Sequence, residues 1–459
     1  MEQITKPHCG ARLDRLPDCR WHSSMFAIVA FGLLVCWSNA VGGLILAQLK
    51  ALGWTDNSTT ATFSAITTAG MFLGALVGGI IGDKTGRRNE FILYEAIHIA
   101  SMVVGAFSPN MDFLIACRFV MGVGLGALLV TLFAGFTEYM PGRNRGTWSS
   151  RVSFIGNWSY PLCSLIAMGL TPLISAEWNW RVQLLIPAIL SLIATALAWR
   201  YFPESPRWLE SRGRYQEAEK VMRSIEEGVI HQTGKPLPPV VIADDGKTPQ
   251  AVPYSALLTG VLLKRVILGS CVLIAMNVVQ YTLINWLPTI FMTQGINLKD
   301  SIVLNTMSMF GAPFGIFIAM LVMDKIPRKT MGVGLLILIA VLGYIYSLQT
   351  SMLLITLIGF FLITFVYMYV CYASAVYVPE IWPTEAKLRG SGLANAVGRI
   401  SGIAAPYAVA VLLSSYGVTG VFILLGAVSI IVAIAIATIG IETKGVSVES
   451  LSIDAVVNK

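Results

Sequence analysis

Twelve apolar runs, most of them about 20 residues long, constrain the fold of this chain more than any other feature. A hydrocarbon core about 30 Å thick takes about 20 helical residues to cross, and only helices or closed barrels satisfy every backbone group inside lipid. Because 55% of the residues are hydrophobic and only 12% are charged, a water-soluble core of this size is not a serious alternative. The sequence therefore predicts an all-α membrane protein with twelve transmembrane helices. The runs lie near residues 25–49, 60–82, 90–107, 112–138, 147–172, 181–202, 264–292, 301–323, 331–348, 352–378, 390–415 and 418–440.

Lys and Arg are distributed unevenly between the segments that connect the runs. If the N-terminus is cytoplasmic and twelve spans alternate, 26 of the 32 Lys and Arg lie on the cytoplasmic side. The positive-inside rule requires this asymmetry, so both termini are expected in the cytoplasm. The basic pI of 9.0 then needs no nucleic-acid partner, because topology and anionic membrane lipid account for it.

One long polar stretch, residues 203–262, divides the runs six and six. Landmarks recur across it at a near-constant interval: Asp83 and Asp324 are 241 residues apart, and Glu204 and Glu442 are 238 apart. This interval indicates a duplicated six-helix unit. Because six is even, both copies have the same orientation, an arrangement typical of transporters. The predicted domains are an N-terminal tail (1–23), two six-helix bundles (24–202 and 263–440) on either side of the linker (203–262), and a C-terminal tail (441–459).

The distribution of reactive side chains argues against an enzyme or a cofactor protein. The seven cysteines occur singly, without a Cys-x-x-Cys pair, and we interpret them as reduced, buried thiols. The four histidines do not cluster, and neither a nucleophile–base spacing nor a metal-ligand spacing occurs. No Walker A motif is present, which argues against direct ATP drive. We expect no cofactor and no metal site.

Five short motifs occur in register from about residue 25 to 445. Together they resemble the motifs of the major facilitator superfamily, particularly those of sugar porters and related bacterial metabolite:proton symporters. The resemblance implies the fold of that superfamily, with two parallel six-helix repeats around a central site, in the bacterial inner membrane. The motifs are Gly82-Asp83-Lys84-Thr85-Gly86-Arg87-Arg88, Arg118 with Gly122, Gly124 and Gly126, Pro203-Glu204-Ser205-Pro206-Arg207-Trp208-Leu209, Pro379-Glu380-Ile381-Trp382-Pro383-Thr384, and Glu442-Thr443-Lys444-Gly445.

The chain departs from the family pattern at two informative places. The second copy of the loop motif has Met323 and Pro327 where glycines are usual, so its turn must differ. Many proton-coupled relatives carry an aspartate in the first helix, whereas this chain has Trp37-Ser38-Asn39 there.

Charged residues at the predicted cytoplasmic ends of the runs are candidate gate residues. By resemblance, Asp83 and Asp324 bind a neighbouring helix N-terminus and arginine in one state of the transport cycle. The alternative is a solvated loop that only obeys the positive-inside rule. The resemblance extends this network to a set of acids and arginines. The candidates are Asp83, Arg87, Arg88, Glu138, Arg145, Arg151, Asp324, Arg328, Glu380, Arg389 and Arg399.

Three ionisable residues inside the runs are candidates for coupling, because such residues are costly in lipid. By resemblance, Arg118 couples transport or orients the substrate; the alternative is a buried structural pair. Glu95 and His98 are three residues apart and share a helix face. We expect Glu95 to be the structural partner of a loop arginine, and a proton relay through Glu95 and His98 is the alternative.

Span seven carries the strongest indication of a substrate site. Asn277, Gln280, Tyr281 and Asn285 form one polar stripe on an otherwise apolar helix. Amides donate and accept hydrogen bonds, as hydroxyl-rich or carboxylate substrates require. The alternative is helix–helix hydrogen bonding, worth about 1 kcal/mol or less per bond. Further candidates are Asn39, Asn157, Trp158 and Tyr372.

These features predict a monomeric carrier of a small polar metabolite, a sugar or a sugar-derived acid, that works by alternating access with proton symport. An exporter or exchanger of organic anions is one alternative, since Arg118 would suit an anion. A nutrient receptor that keeps the fold without transport is another. Such receptors commonly have long cytoplasmic tails, whereas this chain ends within about 20 residues of its last run.

Overall fold

The computed structural model describes residues 7–17, 19–132, 139–140, 145–240, 253–323, 325–383 and 386–444. Throughout these ranges the regular structure is helical and contains no strand. Each of the twelve predicted runs contains helix, which confirms the predicted fold class. By length and hydropathy, nine helices within the same ranges are able to cross a membrane.

The difference between nine and twelve has local causes. The last two runs meet at a kink at the non-helical residue Gly417, with no loop between them, and the fifth run is split into two short helices. The third run is less apolar than the others because it contains Glu90, Glu95 and His98.

The first half of the chain begins with a short helix and continues through six runs. The first run changes its helical geometry at the 3-10 segment Leu33–Cys36, which joins α2 to α3. The helices are α1 (Cys9–Asp14), α2 (Arg20–Gly32), α3 (Trp37–Ala51), α4 (Asn57–Thr85), α5 (Arg87–Ala106), α6 (Met111–Val130), α7 (Arg145–Asn157), α8 (Ser159–Leu170) and α9 (Ala176–Tyr201).

The linker and the second half continue in the same way. A π-helical segment, Cys371–Tyr377, continues α17, and Gly417 interrupts the last helix with a φ of 65°. The helices are α10 (Pro206–Ser211), α11 (Tyr215–Thr233), α12 (Tyr254–Leu257), α13 (Gly260–Thr293), α14 (Leu298–Met309), α15 (Gly311–Val322), α16 (Arg328–Ser347), α17 (Met352–Val370), α18 (Val378–Glu380) and α19 (Lys387–Ile439).

The chain forms two compact units. Unit 1 comprises Met1–Ser38, Gly70–Gly156 and Leu184–Lys247, and unit 2 comprises Asn39–Ala69, Asn157–Gln183 and Thr248–Lys459. Unit 2 therefore includes the predicted outer ends of the first, second, fifth and sixth runs together with the C-terminal helices. The predicted division into two bundles at the linker stays a prediction.

Small residues allow α4 and α6 to pack backbone against backbone in unit 1. A Cβ on Gly70 would overlap the carbonyl oxygen of Phe119, and one on Gly74 would overlap that of Val123. On α6, a Cβ on Gly126 would overlap the carbonyl oxygen of Met71. The face of α4 that carries Gly70 and Gly74 is therefore a close helix–helix contact.

Candidate transport site and gate clusters

The carboxylate of Glu204 binds the N-terminus of α5 in unit 1. Its Oε1 accepts the backbone N–H of Arg87 at 2.7 Å, of Arg88 at 3.3 Å and of Ser205 at 2.9 Å. A helix N-terminus has unpaired N–H groups and a partial positive charge, so a carboxylate stabilises it. Gly86 permits the approach, because its φ is 95° and a Cβ at this position would overlap the Glu204 carboxylate.

Asp83, which was expected to bind a helix N-terminus, lies beside this contact. Its Oδ1 is 3.2 Å from Arg87 Nη1, and 67% of its side chain is exposed. Its backbone carbonyl accepts hydrogen bonds from Trp208 Nε1 at 2.8 Å and from Arg212. Two linker residues therefore bind the C-terminal end of α4. The gating role expected for the Asp83 side chain stays a prediction.

Glu442 repeats the Glu204 contact in unit 2. It accepts the backbone N–H of Arg328 at 2.8 Å and of Lys329 at 3.1 Å, the first two residues of α16. Burial alone would raise the pKa of Glu442, but these N–H groups, that of Lys444 and the charge of Arg328 outweigh it and lower the pKa. Asp324, in the loop before α16, lies outside the described residues.

Arg328 also holds Glu380 in a two-point ion pair. Its Nε lies 3.0 Å from Glu380 Oε2 and its Nη2 lies 3.1 Å from Oε1. Thr443 donates a hydrogen bond of 2.6 Å to the same carboxylate. Only 6% of Arg328 is exposed, so the bidentate geometry is screened little by solvent. The structure thus brings together two of the predicted gate residues, Arg328 and Glu380.

A tyrosine accompanies each of the two carboxylates. Tyr139 Oη donates to the carbonyl of Pro203 at 2.7 Å, and Tyr377 Oη donates to that of Ile441 at 3.1 Å. The two tyrosines are 238 residues apart, and so are their acceptors. The duplication inferred from sequence intervals therefore extends to equivalent hydrogen bonds. We call these two groups the gate clusters: Tyr139, Glu204 and the start of α5 in unit 1, and Tyr377, Glu442 and the start of α16 in unit 2.

The remaining gate candidates are arranged differently. Three arginines lie over aromatic rings, a contact that stabilises a cation at a partly apolar surface. They are Arg88 over Trp199 at 5.8 Å, Arg151 over Trp148 at 4.9 Å and Arg389 over Tyr254 at 5.2 Å. Arg399 is half-buried in α19. Glu138 and the side chain of Arg145 lie outside the described part of the chain.

Two of the three coupling candidates, His98 and Arg118, contact Ser38 in unit 1, and the third, Glu95, lies beside His98. His98 Nε2 is 2.9 Å from Ser38 Oγ, and Arg118 Nη1 donates to the Ser38 carbonyl at 2.8 Å. Glu95 is fully buried, and its Oε2 lies 3.7 Å from His98 Nδ1. The expected partner of Glu95 was a loop arginine. The structure gives it His98 instead, because the Glu95 side chain is buried within the helix packing.

The polar stripe of span seven lies in unit 2, where α13 faces α19. Asn277 and Asn285 are buried, whereas Gln280 and Tyr281 are partly exposed. A Cβ on Gly398 of α19 would lie 3.0 Å from Asn277 Nδ2. Asn277 donates to the Leu273 carbonyl of its own helix at 2.7 Å, so part of its hydrogen-bonding capacity is internal.

The other predicted substrate residues also lie in unit 2. Asn39 is buried, Asn157 is partly exposed, and Trp158 packs edge-on against Phe310 with ring centroids 6.3 Å apart. Tyr372 is fully buried and stacks on Tyr377, with 5.0 Å between the ring centroids. The structure therefore places Tyr372 beside the second gate cluster.

Several buried polar groups were not singled out from the sequence. Asn305 on α14 donates to Ser164 on α8 at 3.0 Å, and its Oδ1 is buried without a hydrogen-bond partner in the described structure. The Nε2 and Oε1 atoms of Gln48 are likewise buried without a hydrogen-bond partner in the described part of the chain. Glu90 on α5 is also buried, against Gly78 and Gly82. A lone amide in an apolar run is a weak sequence signal, since it resembles an ordinary helix–helix contact.

Comparisons with known proteins identify the family. The family model of the Major Facilitator Superfamily matches residues 26–406. The chain is 99% identical, over the full length of both proteins, to YdjK of Escherichia coli (strain K12), whose name assigns it provisionally to metabolite transport. It is 44% identical to the inner membrane metabolite transport protein YdjE of the same strain, covering 98% of this chain and 99% of that protein.

More distant comparisons agree with this family. The niacin transporter NiaP of Acinetobacter baylyi is 25% identical and covers 96% of this chain and 99% of its own length. Among solved structures, the partially occluded inward open conformation of the xylose transporter XylE from E. coli has a TM-score of 0.73 at 18% identity, covering 93% of this chain and 100% of that chain. This chain belongs to the Major Facilitator Superfamily. It is a multi-pass membrane transporter of metabolites, and membership of a transporter family agrees with the expectation that it is not an enzyme.

Proposed function

We propose that this chain moves a small polar metabolite, a sugar or a sugar-derived acid, by alternating access and with proton symport. The observation that carries the proposal is the pair of gate clusters. Glu204 binds the start of α5 and Glu442 binds the start of α16, in each case through the backbone N–H groups of the first two residues of the helix. Equivalent clusters in two parallel repeats support a cycle in which the repeats move as matched bodies around one site.

The polar stripe of α13 supports a substrate that is rich in hydrogen-bonding groups. Asn277 and Asn285 are buried amides in an apolar helix, and each amide has two donors and an acceptor. Sugar hydroxyls and aldonate carboxylates match this chemistry, whereas an apolar solute could not use the donors and acceptors of these amides. The likeness to a xylose transporter structure is consistent with the fold that such a site requires.

Exchange or export of an organic anion is the second candidate. Arg118 is buried within the helices of unit 1, where a permanent cation favours a negatively charged solute. A relative at 25% identity is named for niacin, a carboxylic acid that is ionised to a carboxylate at neutral pH. Exchange of one anion for another would show no dependence on a proton gradient.

We further propose an inner-membrane location, both termini in the cytoplasm and a monomeric unit. The uneven distribution of Lys and Arg supports the orientation. A reporter that fluoresces only in the cytoplasm, fused after Lys459, tests it. Fluorescence is expected, and its absence together with activity of a periplasmic reporter at the same site would contradict the orientation.

Ligand-dependent thermal melting of the purified protein tests the proposed substrate class. The solutes are D-xylose, D-gluconate and nicotinate, and a ligand at 100 times its Kd stabilises the folded state by about 2.7 kcal/mol. We expect a shift with D-xylose or D-gluconate that is lost in N277A and N285A. Gln349→Ala removes a partly exposed amide that donates to the Ile345 carbonyl at the end of α16, and it should keep the shift. A shift with nicotinate alone would favour the second candidate, and an unchanged shift in both asparagine variants would place the site elsewhere.

A further inference from the structure

The third run carries a carboxyl and an imidazole that the gate clusters do not use. Glu95 and His98 on α5 are both fully buried, with Glu95 Oε2 3.7 Å from His98 Nδ1. In the described part of the chain, neither Glu95 oxygen has a hydrogen-bond partner. A buried ionisable pair inside a membrane span is expensive, and it is retained where its charge change has a use.

His98 connects α5 to two other helices. Its Nε2 lies 2.9 Å from Ser38 Oγ at the start of α3, and its Nδ1 lies 3.3 Å from Ser191 Oγ on α9. A hydroxyl can either donate or accept, so His98 can bind or release a proton while keeping both neighbours. Ser38 Oγ itself donates to the Val35 carbonyl at 2.7 Å, within the 3-10 segment. The imidazole therefore contacts the first run where its helical geometry changes.

Arg118 completes the group. Its Nη1 donates to the Ser38 carbonyl at 2.8 Å, so one residue of the first run contacts both the imidazole and a cation. The helix that carries Arg118 packs closely on α5, since a Cβ on Gly124 would lie 3.1 Å from both His98 Cβ and the Tyr94 carbonyl oxygen. The spacing between α5 and α6 is thus fixed around His98.

These helices carry other titratable groups. They are Arg87, Arg88, Glu90 and Tyr94 on α5, Asp112 and Cys117 on α6, Tyr201 on α9, and His22 and Cys36 on the first run. Glu90 faces Gly78 and Gly82 of α4. The charged residues of α9 lie towards its ends, and those of the first run lie in its first turn and near its last residue. They are Glu177, Arg181 and Arg200 on α9, and Arg20 and Lys50 on the first run.

We propose that Glu95 and His98 together bind the proton that this carrier moves, and that Ser38 transmits their protonation state to the first run and to Arg118. The inference rests on the proposed proton symport. With the proton bound, the pair has no net charge, whether as carboxylic acid and imidazole or as carboxylate and imidazolium. Without it, the pair has one negative charge, and it is linked to the Arg118 cation through Ser38, which both His98 and Arg118 contact. One unit of charge in a low-dielectric site changes which of two packing arrangements is favoured.

A spectroscopic titration reads the proton without a substrate. Wild type, E95Q and D112N are reconstituted in lipid, and infrared difference spectra of the carboxyl carbonyl are recorded across neutral pH. Asp112 is an exposed carboxylate in the first turn of α6 and controls for loss of a charge. We expect one titrating buried carboxyl band in wild type and D112N that is absent in E95Q. Identical spectra in wild type and E95Q would overturn the proposal.

Histidine NMR adds a second readout of the same proton. The chain has four histidines, and H98N assigns the His98 signal. E95Q should change the titration of His98 and leave the other three unchanged. An unchanged His98 titration in E95Q would show that the two groups do not share a proton, and would also overturn the proposal.

A transport assay distinguishes a proton-binding role of Glu95 and His98 from a purely structural role. D-xylose, D-gluconate and nicotinate are offered to proteoliposomes with and without a pH gradient. In E95Q and H98N, gradient-driven accumulation should fall by roughly tenfold or more while exchange at equal pH is retained. Equal loss of both, in variants that melt like wild type, would contradict the proposal. If wild type moves none of the solutes, the proposed function fails for them, and the spectroscopic titrations alone decide the proton site.

Discussion

At the scale of single residues, two carboxylates stabilise helix termini that are remote in the sequence. Glu204 lies 117 residues from Arg87, and Glu442 lies 114 from Arg328. The local motif directs attention to Asp83, which sits in the loop itself. The interval between Glu204 and Glu442 indicated that these two carboxylates hold equivalent positions in the two repeats. No local pattern predicts which backbone N–H groups a distant carboxylate will bind.

Gly86 provides a prediction at this scale. G86A should destabilise the fold by about 1–3 kcal/mol, because a φ of 95° is strained for alanine and the new Cβ would displace the Glu204 carboxylate. G213A is the matched control, since Gly213 also has a positive φ of 71° but open space around it. Thermal melting of both variants measures the difference. A melting temperature of G86A no lower than that of G213A would show that the Glu204 contact adds nothing.

Glu95 illustrates what the sequence could and could not supply. The spacing of Glu95 and His98 correctly predicted a shared helix face, because three residues make nearly one helical turn. The expectation of a loop arginine was wrong. That expectation matched the negative charge of Glu95 with a positive charge and considered nothing else. The two serines that contact His98 come from the first and sixth runs, and nothing in the sequence around them marks them as its partners.

At the scale of elements, the N-terminal helix α1 packs against linker helices α10 and α11. Arg12 Nη2 lies 2.7 Å from Glu226 Oε2, and Arg15 Nη2 lies 2.7 Å from Oε1. Leu13 and Met222 are fully buried in the same contact. The linker, a polar stretch in the sequence, contains the helix Tyr215–Thr233. Its packing against the N-terminus was not predicted, because a contact between segments 214 residues apart leaves no local sequence signal.

The α1–α11 contact gives a prediction with a pH dependence. Burial alone would raise the pKa of Glu226, but Arg12 and Arg15 outweigh it and the pKa is lowered. A carboxyl with a lowered folded pKa stabilises the contact fully above its unfolded value of about 4.3, and the stabilisation is lost as pH falls through the folded value. E226Q should therefore weaken the contact by about 2 kcal/mol at neutral pH.

Hydrogen exchange of the amides of residues 9–16 measures this effect. We expect exchange in E226Q to be roughly tenfold faster or more, and acidification to bring wild type towards the variant. E227Q changes the exposed neighbour and should behave like wild type. Equal exchange in E226Q and E227Q would mean that the apolar contact alone holds α1.

At the scale of the whole molecule, the twelve runs and the duplication were predicted because they depend on average composition and on constant intervals. The 3-10 segment in the first run and the π-helical segment after α17 were not, since both replace α-helical hydrogen bonds inside uniformly apolar sequence. The sequence also did not predict that Asn39–Ala69 and Asn157–Gln183 belong to the same compact unit as the C-terminal helices. Which ends of the first-half helices pack with the C-terminal helices depends on long-range tertiary contacts and not on local sequence.

Polar contacts in unit 2 join residues from both halves of the sequence. Lys50 Nζ donates to Asn57 Oδ1 at 2.7 Å, and Asn57 Nδ2 donates to Ser414 Oγ at 2.9 Å. The second link is Asn305 to Ser164, at 3.0 Å. If the carrier works by alternating access, these contacts at the predicted outer side must break and re-form in every cycle.

A reversible cross-link between positions 57 and 414 tests this account most directly. N57C and S414C are combined in a chain whose seven native cysteines are replaced, and uptake of D-xylose and D-gluconate is measured after oxidation and again after reduction, with N57C alone as the control. The account predicts loss of uptake in the oxidised double variant, full recovery on reduction and no change in the control. Undiminished uptake by fully cross-linked protein would contradict it.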